Sequence, residues 1–206
     1  AIRAQRIVKS EEEIRKICDA QAITDATFEH ILPYIREGVT EREIALEIEF
    51  YMRKLGADGN AFDPIVVTGG NGSQCHGIPG DTALGHVSDE QKAIYDTVLK
   101  AQLAAIDAVH AGVRCCDVDK VARDIIETPY PGTFGHGLGH GVGFEIHEWP
   151  RFSRLDDTVC APGMVITVEP GIYVAGKCGV RIEDMIVVTE DGCRNLTHSP
   201  KELIIL

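Results

Sequence analysis

Apolar residues recur every three or four positions through the first half of the chain and gather into short unbroken runs in its last third. The first pattern predicts helices. Ser10 with Glu13 reads as a capping box, in which each side chain satisfies an orphan N–H at a helix start. Ile14, Ile17, Ala20 and Ile23 follow at helical spacing, and Pro33 and Gly38 close the segment. Thr40 with Glu43 repeats the device, and Ile44, Ile48, Tyr51 and Leu55 form a stripe that Gly56 stops. Ser88 with Gln91 opens a third helix that runs through Tyr95, Val98, Ala101 and Leu103 to about Gly112. A fourth covers Val118 to Ile126. Between the second and third lies Pro64–Thr68 (PIVVT), short and β-branched, which reads as a buried strand.

After Pro131 the pattern changes. Met164–Val168 and Val180–Val188 read as strands, Asp191-Gly192 as a turn, and Leu203–Leu206 as a last strand. Helices come first and strands late, so an α+β fold is expected rather than alternating α/β. The 206 residues suit one domain with a sizeable core. No internal repeat or low-complexity tract interrupts them.

Charge narrows the partners. At −12, the surface repels phosphate backbones and anionic lipid, so neither nucleic acid nor membrane is expected as a partner. No apolar run reaches the ~20 residues of a membrane span. Seven scattered cysteines without a CxxC pair fit free thiols in a reducing compartment. The chain begins at Ala1 rather than Met, so processing or a longer parent chain is the expectation. With no signal peptide in view, the cytoplasm is the expected location.

Candidate chemistry concentrates in Phe134–Glu148 (FGHGLGHGVGFEIHE). So many glycines disfavour a helix, at ~1 kcal/mol each against alanine, so an extended or looped course is expected. There His136, Leu138 and His140 point to one side, and the glycines admit other backbone or a substrate. A single histidine on a polar loop is unremarkable; three in this setting favour a site. Glu169 ends the apolar run Met164–Val168, where a carboxylate loses hydration and must be paired, neutralised or metal-bound. Glu183 repeats that situation beside Arg181, two residues away and expected on the same strand face, where the guanidinium favours the charged carboxylate. A plain Arg–Glu pair on a wet face is the bland alternative. One imidazole and two carboxylates, His140, Glu169 and Glu183, suit a divalent ion such as Mn, Fe, Co or Zn.

His136–Glu148 (HGLGHGVGFEIHE), Val168–Ile172 (VEPGI), Gly179–Asp184 (GVRIED) and the ending Leu196–Ile204 resemble the pita-bread metallopeptidases, most closely their Xaa-Pro aminopeptidase and prolidase branch. The resemblance runs from about Ile7 to the C-terminus, with its motifs in order. It implies a single catalytic domain, residues 1–206, in which curved antiparallel sheets are flanked by helices. It also implies two divalent metals bridged by a water or hydroxide, with His140, Glu169 and Glu183 among the ligands. Glu169 would also carry the proton of the attacking water. His136 and His147 would bind substrate and stabilise the tetrahedral intermediate, Arg181 would orient the carboxylates, and His76 of Cys75–Pro79 (CHGIP) would touch substrate near the scissile bond. The substrate would be a peptide with proline at its second position, and a homodimer is compatible with the family.

One departure matters. The family takes two further ligands from aspartates on a β-hairpin that belongs between His76 and the third helix. Here Gly80-Asp81 runs straight into Thr82–Val87, and Asp81, in the turn after Ile78-Pro79, is a poor substitute. A smaller shortening lies near Glu127-Thr128. Three readings compete: the intact protein carries the hairpin, it has been deleted to leave a damaged enzyme, or the chain is a non-catalytic relative. The first is preferred. Loss of the hairpin leaves strand edges unpaired in the core, at several kcal/mol in unmet hydrogen bonds, and drift would have eroded His140, Glu169 and Glu183. Without the hairpin, the metals are expected to be single or absent.

The branches most resembled usually carry a separate N-terminal domain, absent here, so the choice between aminopeptidase and dipeptidase stays open. Methionine aminopeptidase fits Cys75–Pro79 but less well the context of Phe144–Trp149. A metal-free hydrolase resembling creatinase and a binding module that has lost catalysis are the other classes.

Overall fold

The computed structural model describes residues 2–206. The described residues form α1 (Ile2–Ile7), α2 (Glu11–Ile31), α3 (Glu41–Lys54), α4 (Asp89–Asp107) and α5 (Cys115–Glu127). The strands are β1 (Gly139–Gly141), β2 (Glu148–Phe152), β3 (Val165–Val168), β4 (Gly171–Val174), β5 (Cys178–Arg181), β6 (Asp184–Val188) and β7 (Cys193–Asn195). All three capping boxes form: Ser10, Thr40 and Ser88 each accept from the backbone N–H three residues on, and Glu13, Glu43 and Gln91 reach back. Helix starts were therefore readable from local chemistry alone.

Five strands make one antiparallel sheet in the order β2-β1-β3-β6-β7, and β4 pairs with β5 as a separate hairpin. β3 is buried along its whole length. One face of the sheet carries Ile166, Val168, Ile186 and Val188 against Ile94, Val98 and Ala101 of α4 and Val118, Ala122 and Ile126 of α5. The other face sets Val165 and Val187 against Ile14 of α2 and Leu196. Burying a side chain of this size contributes about 1.5–3 kcal/mol, so this two-sided core is what holds the central strands in place.

Four expectations are corrected. Pro64–Thr68 is not a strand, and its residues are only half-buried; it pairs with no strand among the described residues, and the Thr68 N–H goes to the Glu41 carboxylate at 2.7 Å instead of to a ladder. Val180–Val188 is not one strand: β5 ends at Arg181 and β6 begins at Asp184, in different sheets, with Ile182-Glu183 as the step between them. Arg181 and Glu183 therefore do not lie on one continuous strand face. The third helix stops at Asp107, short of Gly112, because Gly112 (φ 92°) serves a turn whose N–H bonds the Cys160 carbonyl. Leu203–Leu206 forms no strand; Ile205 and Leu206 are exposed and find no partner edge among the described residues.

Gly80–Leu84 instead pairs with the start of α3. Arg42 N–H donates to the Gly80 carbonyl and Glu41 N–H to the Thr82 carbonyl, both at 3.0 Å, and the chain runs through Asp81 and Thr82 without an intervening hairpin.

Candidate active site

β1 brings the glycine-histidine segment between β2 and β3. Only bare backbone fits there. A Cβ on Gly139 would stand 1.8 Å from the Thr167 carbonyl oxygen, and one on Gly141 would stand 2.4 Å from that of Trp149. This close approach lets His140 reach the residue that follows β3: His140 Nε2 lies 3.1 Å from Glu169 Oε1. His140 Nδ1 lies 3.0 Å from the Gly141 carbonyl. A carbonyl only accepts, so Nδ1 carries the hydrogen and Nε2 faces Glu169. Burial pulls the His140 pKa down, but the Glu169 bond, the Gly141 carbonyl and the charges of Glu169 and Glu183 outweigh it and leave it raised.

Glu169 is largely withdrawn from water without being fully buried, and that desolvation favours its neutral form. Its bond and charge interaction with His140, the Thr167 hydroxyl at 2.9 Å and the Arg181 guanidinium, with Nε at 4.0 Å, reverse that and keep it ionised. Glu183, in the step between β5 and β6, has the opposite balance. The residue is exposed overall, yet desolvation of its carboxylate, followed by the Glu169 charge, pushes its pKa up to about 7 against the pull of Arg181 and His140. That exposure keeps the carboxylate partly hydrated, which moderates the shift without reversing its direction.

His136 lies two residues before Leu138 in the same segment. Its Nδ1 donates to the Gly137 carbonyl at 2.7 Å, leaving Nε2 3.1 Å from the Tyr173 hydroxyl. Burial lowers its pKa, so the ring is neutral at pH 7 and Tyr173, whose own pKa burial raises to about 12, is the donor. His147 is exposed, with its ring 4.3 Å from that of His140. Burial first, then the His140 charge, lowers its pKa, and His76 is among the other charges that act on it. Arg181 Nη1 donates to the Cys75 carbonyl at 3.2 Å, which ties the His76 loop to β5. The structure thus gathers His76, His136, His140, His147, Glu169, Arg181 and Glu183 about the β1–β3 junction and the β5–β6 step.

Tyr173, Asp119 and Arg123 were not singled out from the sequence. Asp119 and Arg123 occupy the α5 stripe Cys115, Val118, Asp119, Ala122, Arg123 and Ile126, all buried. Two opposite charges four apart on an otherwise apolar helical face are the signal that would have found them.

The donor chemistry of His140, Glu169 and Glu183 suits a divalent ion. Among the described residues, however, no three His, Cys, Asp or Glu side chains are already arranged to hold one. An ion would have to replace the His140–Glu169 hydrogen bond and draw in Glu183. Donors for a second ion are lacking: Asp81 points to solvent and pairs with Arg42 at 3.0 Å. The residues present therefore fit one ion and not two.

Residues 15–88 and 82–190 match the model of metallopeptidase family M24, and the two stretches overlap at 82–88 instead of running on continuously. The Xaa-Pro dipeptidase of Pyrococcus horikoshii is 40% identical over 231 residues, covering 98% of this chain and 66% of its own length. Among solved structures, an Xaa-Pro dipeptidase from Bacillus anthracis superposes with a TM-score of 0.96 at 42% identity, covering 100% of this chain and 66% of that one. X-Pro aminopeptidase from Thermotoga maritima gives 0.95 at 39% identity, again with 100% and 66% coverage. These neighbours share the pita-bread architecture with this chain. The chain spans about two thirds of the length of the curated relatives it matches. An alignment of 231 positions exceeds the whole 206-residue chain, so that relative carries residues this chain lacks.

Proposed function

The chain belongs to metallopeptidase family M24, and we propose that it is the catalytic portion of an Xaa-Pro peptidase that hydrolyses the bond between an N-terminal residue and a following proline. The observation that carries this is the His140–Glu169 contact at 3.1 Å, with His136, His147, Arg181 and Glu183 around it. A divalent ion (Mn, Co, Zn or Fe) held by His140, Glu169 and Glu183 would supply Lewis acidity and an ionised water at neutral pH. The His140 Nδ1–H bond to the Gly141 carbonyl orients the ring for that task. Glu169, kept ionised by His140, Thr167 and Arg181, accepts the proton of the attacking water. His136 acts on the substrate through Nε2, the nitrogen that Tyr173 also reaches. His147 and His76, both exposed, present ring N–H groups to the peptide carbonyl at the entrance.

Asp81 and Thr82 are consecutive in this chain, so the expectation that it carries the family's aspartate hairpin at that point fails; the relatives' alignments are longer, and the family pattern restarts there. Seven free cysteines suit a reducing compartment such as the cytoplasm. No helix among the described residues is long and apolar enough to cross a membrane.

The test is hydrolysis of Xaa-Pro dipeptides and longer Xaa-Pro peptides while Mn, Co or Zn is titrated, with bound metal counted by mass spectrometry. Turnover that rises with metal supports the peptidase, and cleavage of Met-Ala peptides alone would redirect it to another branch. A second reading is a metal-free relative that binds peptide without cutting it, for which the described residues offer one observation: no three donors among them are already gathered. Peptide binding with no metal uptake and no turnover would select it.

A further inference from the structure

We propose that the buried Asp119–Arg123 pair of α5 is a positioning device that sets the register of His136 and His140 against Glu169. Asp119 is 0% exposed and Arg123 8%. Arg123 Nε and Nη2 grip the two Asp119 oxygens at 2.8 and 2.9 Å. The same guanidinium donates from Nη1 to the Phe134 carbonyl at 2.9 Å and from Nη2 to the His136 carbonyl at 2.8 Å. Its plane also lies against the Phe134 ring, 4.2 Å from the centroid. Asp119 Oδ1 takes the Leu138 N–H at 3.0 Å. Three alternate residues of the glycine-rich segment, 134, 136 and 138, are thus held by one ion pair.

Leu138 is where the two halves of the site meet. Its N–H goes to Asp119, and its carbonyl accepts the Glu169 N–H at 2.8 Å. His136 precedes it by two residues and His140 follows it by two. A shift of Leu138 along the segment would move both rings and break the bond that sets Glu169 opposite His140. Phe134 and Leu138 pack into the core and β1 begins only at Gly139, so the Phe134 and His136 carbonyls and the Leu138 N–H lie outside the ladder and look to this pair for partners. A buried ion pair is weak evidence for stability, since apolar residues of equal volume commonly serve as well. Apolar residues, however, could not bond two carbonyls and an N–H of an irregular segment. Lysine cannot replace the fork either, because four directed contacts need the planar guanidinium.

The inference rests on His136, His140 and Glu169 being the working site, and the test separates the two. Full-length R123K and D119N are compared with Ile126→Val, a buried α5 change that leaves the pair intact. Ring signals of His136 and His140 are recorded by NMR without metal, alongside circular dichroism and kcat and KM on an Xaa-Pro peptide with metal. R123K is expected to remain folded, to shift both ring signals, and to lower kcat about 10–100-fold, the usual cost of losing an outer-shell contact. D119N is expected to do so less, and I126V to lower the melting temperature with ring signals unmoved. Unmoved ring signals in folded R123K would overturn the proposal. So would I126V reproducing the shifts, or loss of the fold in both R123K and D119N, which would make the pair purely structural. If the unmutated chain shows no Xaa-Pro turnover, the peptidase reading fails, while the ring signals still decide the positioning role.

Discussion

The two sides of the candidate site are built to different standards. On the C-terminal side, β1 lies between β2 and β3, His136 and Leu138 are tied to α5, and His140 is tied to Glu169. On the N-terminal side, residues 64–68 lie half-buried without a ladder, and Ile78 is 87% exposed. Besides the pairing of Gly80–Leu84 with the start of α3 and the Arg181 bond to Cys75, that side is gathered by one buried carboxylate. Glu41 accepts from Thr68 N–H at 2.7 Å, Gly80 N–H at 2.9 Å and the Asn71 amide at 3.2 Å. The contrast teaches that a β-branched run becomes a strand only when another strand offers its edge. One side has its partners in this chain, and the other lacks the segment that relatives carry.

Removing the central carboxylate of the ordered side should have the largest effect. Glu169→Gln is expected to lower Xaa-Pro turnover about 10³-fold with little change in circular dichroism, within the range for loss of a general base; near-normal turnover would remove Glu169 from the mechanism. Repairing the other side is the complementary change. Inserting a relative's hairpin between Asp81 and Thr82 should raise bound metal from at most one ion to two and turnover at least about tenfold, read by metal analysis and the peptide assay. An unchanged metal count would mean that the N-terminal side is not where the second ion belongs.

Smaller effects fall on stability. Glu41→Ala leaves the half-buried Thr68 and Gly80 N–H groups without their acceptor, each costing about 1–3 kcal/mol, so unfolding by urea should show a loss of roughly 3 kcal/mol with the C-terminal sheet the last part to melt. Glu148 on the ordered side gives the smallest change. Burial would raise its pKa, but Arg6, the Glu145 N–H and Lys9 hold it below the usual range. Its contribution is therefore complete above the unfolded value of ~4.3 and is lost as pH falls through the lower folded value. Glu148→Gln leaves the buried Lys9 ammonium without its countercharge and should cost about 2 kcal/mol at pH 7 and close to nothing in strong acid, so the melting curves of the two proteins should converge as pH falls.

What could be read from the chain followed the range of the interaction. Ser10, Thr40 and Ser88 cap their helices through residues three positions away, so their starts were visible. Whether Val180–Val188 is one strand or two depends on β4 and β3 pairing with its separate halves, which no local pattern encodes. Glu169 and Glu183 stood out because carboxylates ending apolar runs are unusual. Tyr173 did not, because a tyrosine in an apolar run reads as core until His136 is found 3.1 Å from its hydroxyl. His140, Glu169 and Glu183 could be grouped as a candidate metal set from their chemistry, whereas His76, His136 and His147 joined them as substrate-side candidates only through the family resemblance.

The bare backbone at Gly139 also bears on time. With β1 pressed against Thr167 and flanked by strands on both sides, its amide protons have no small local motion by which to reach water. Their exchange with deuterium should require opening of the whole sheet, so the slowest clock in the molecule should run beside His140, while the amides of residues 64–68 should exchange early.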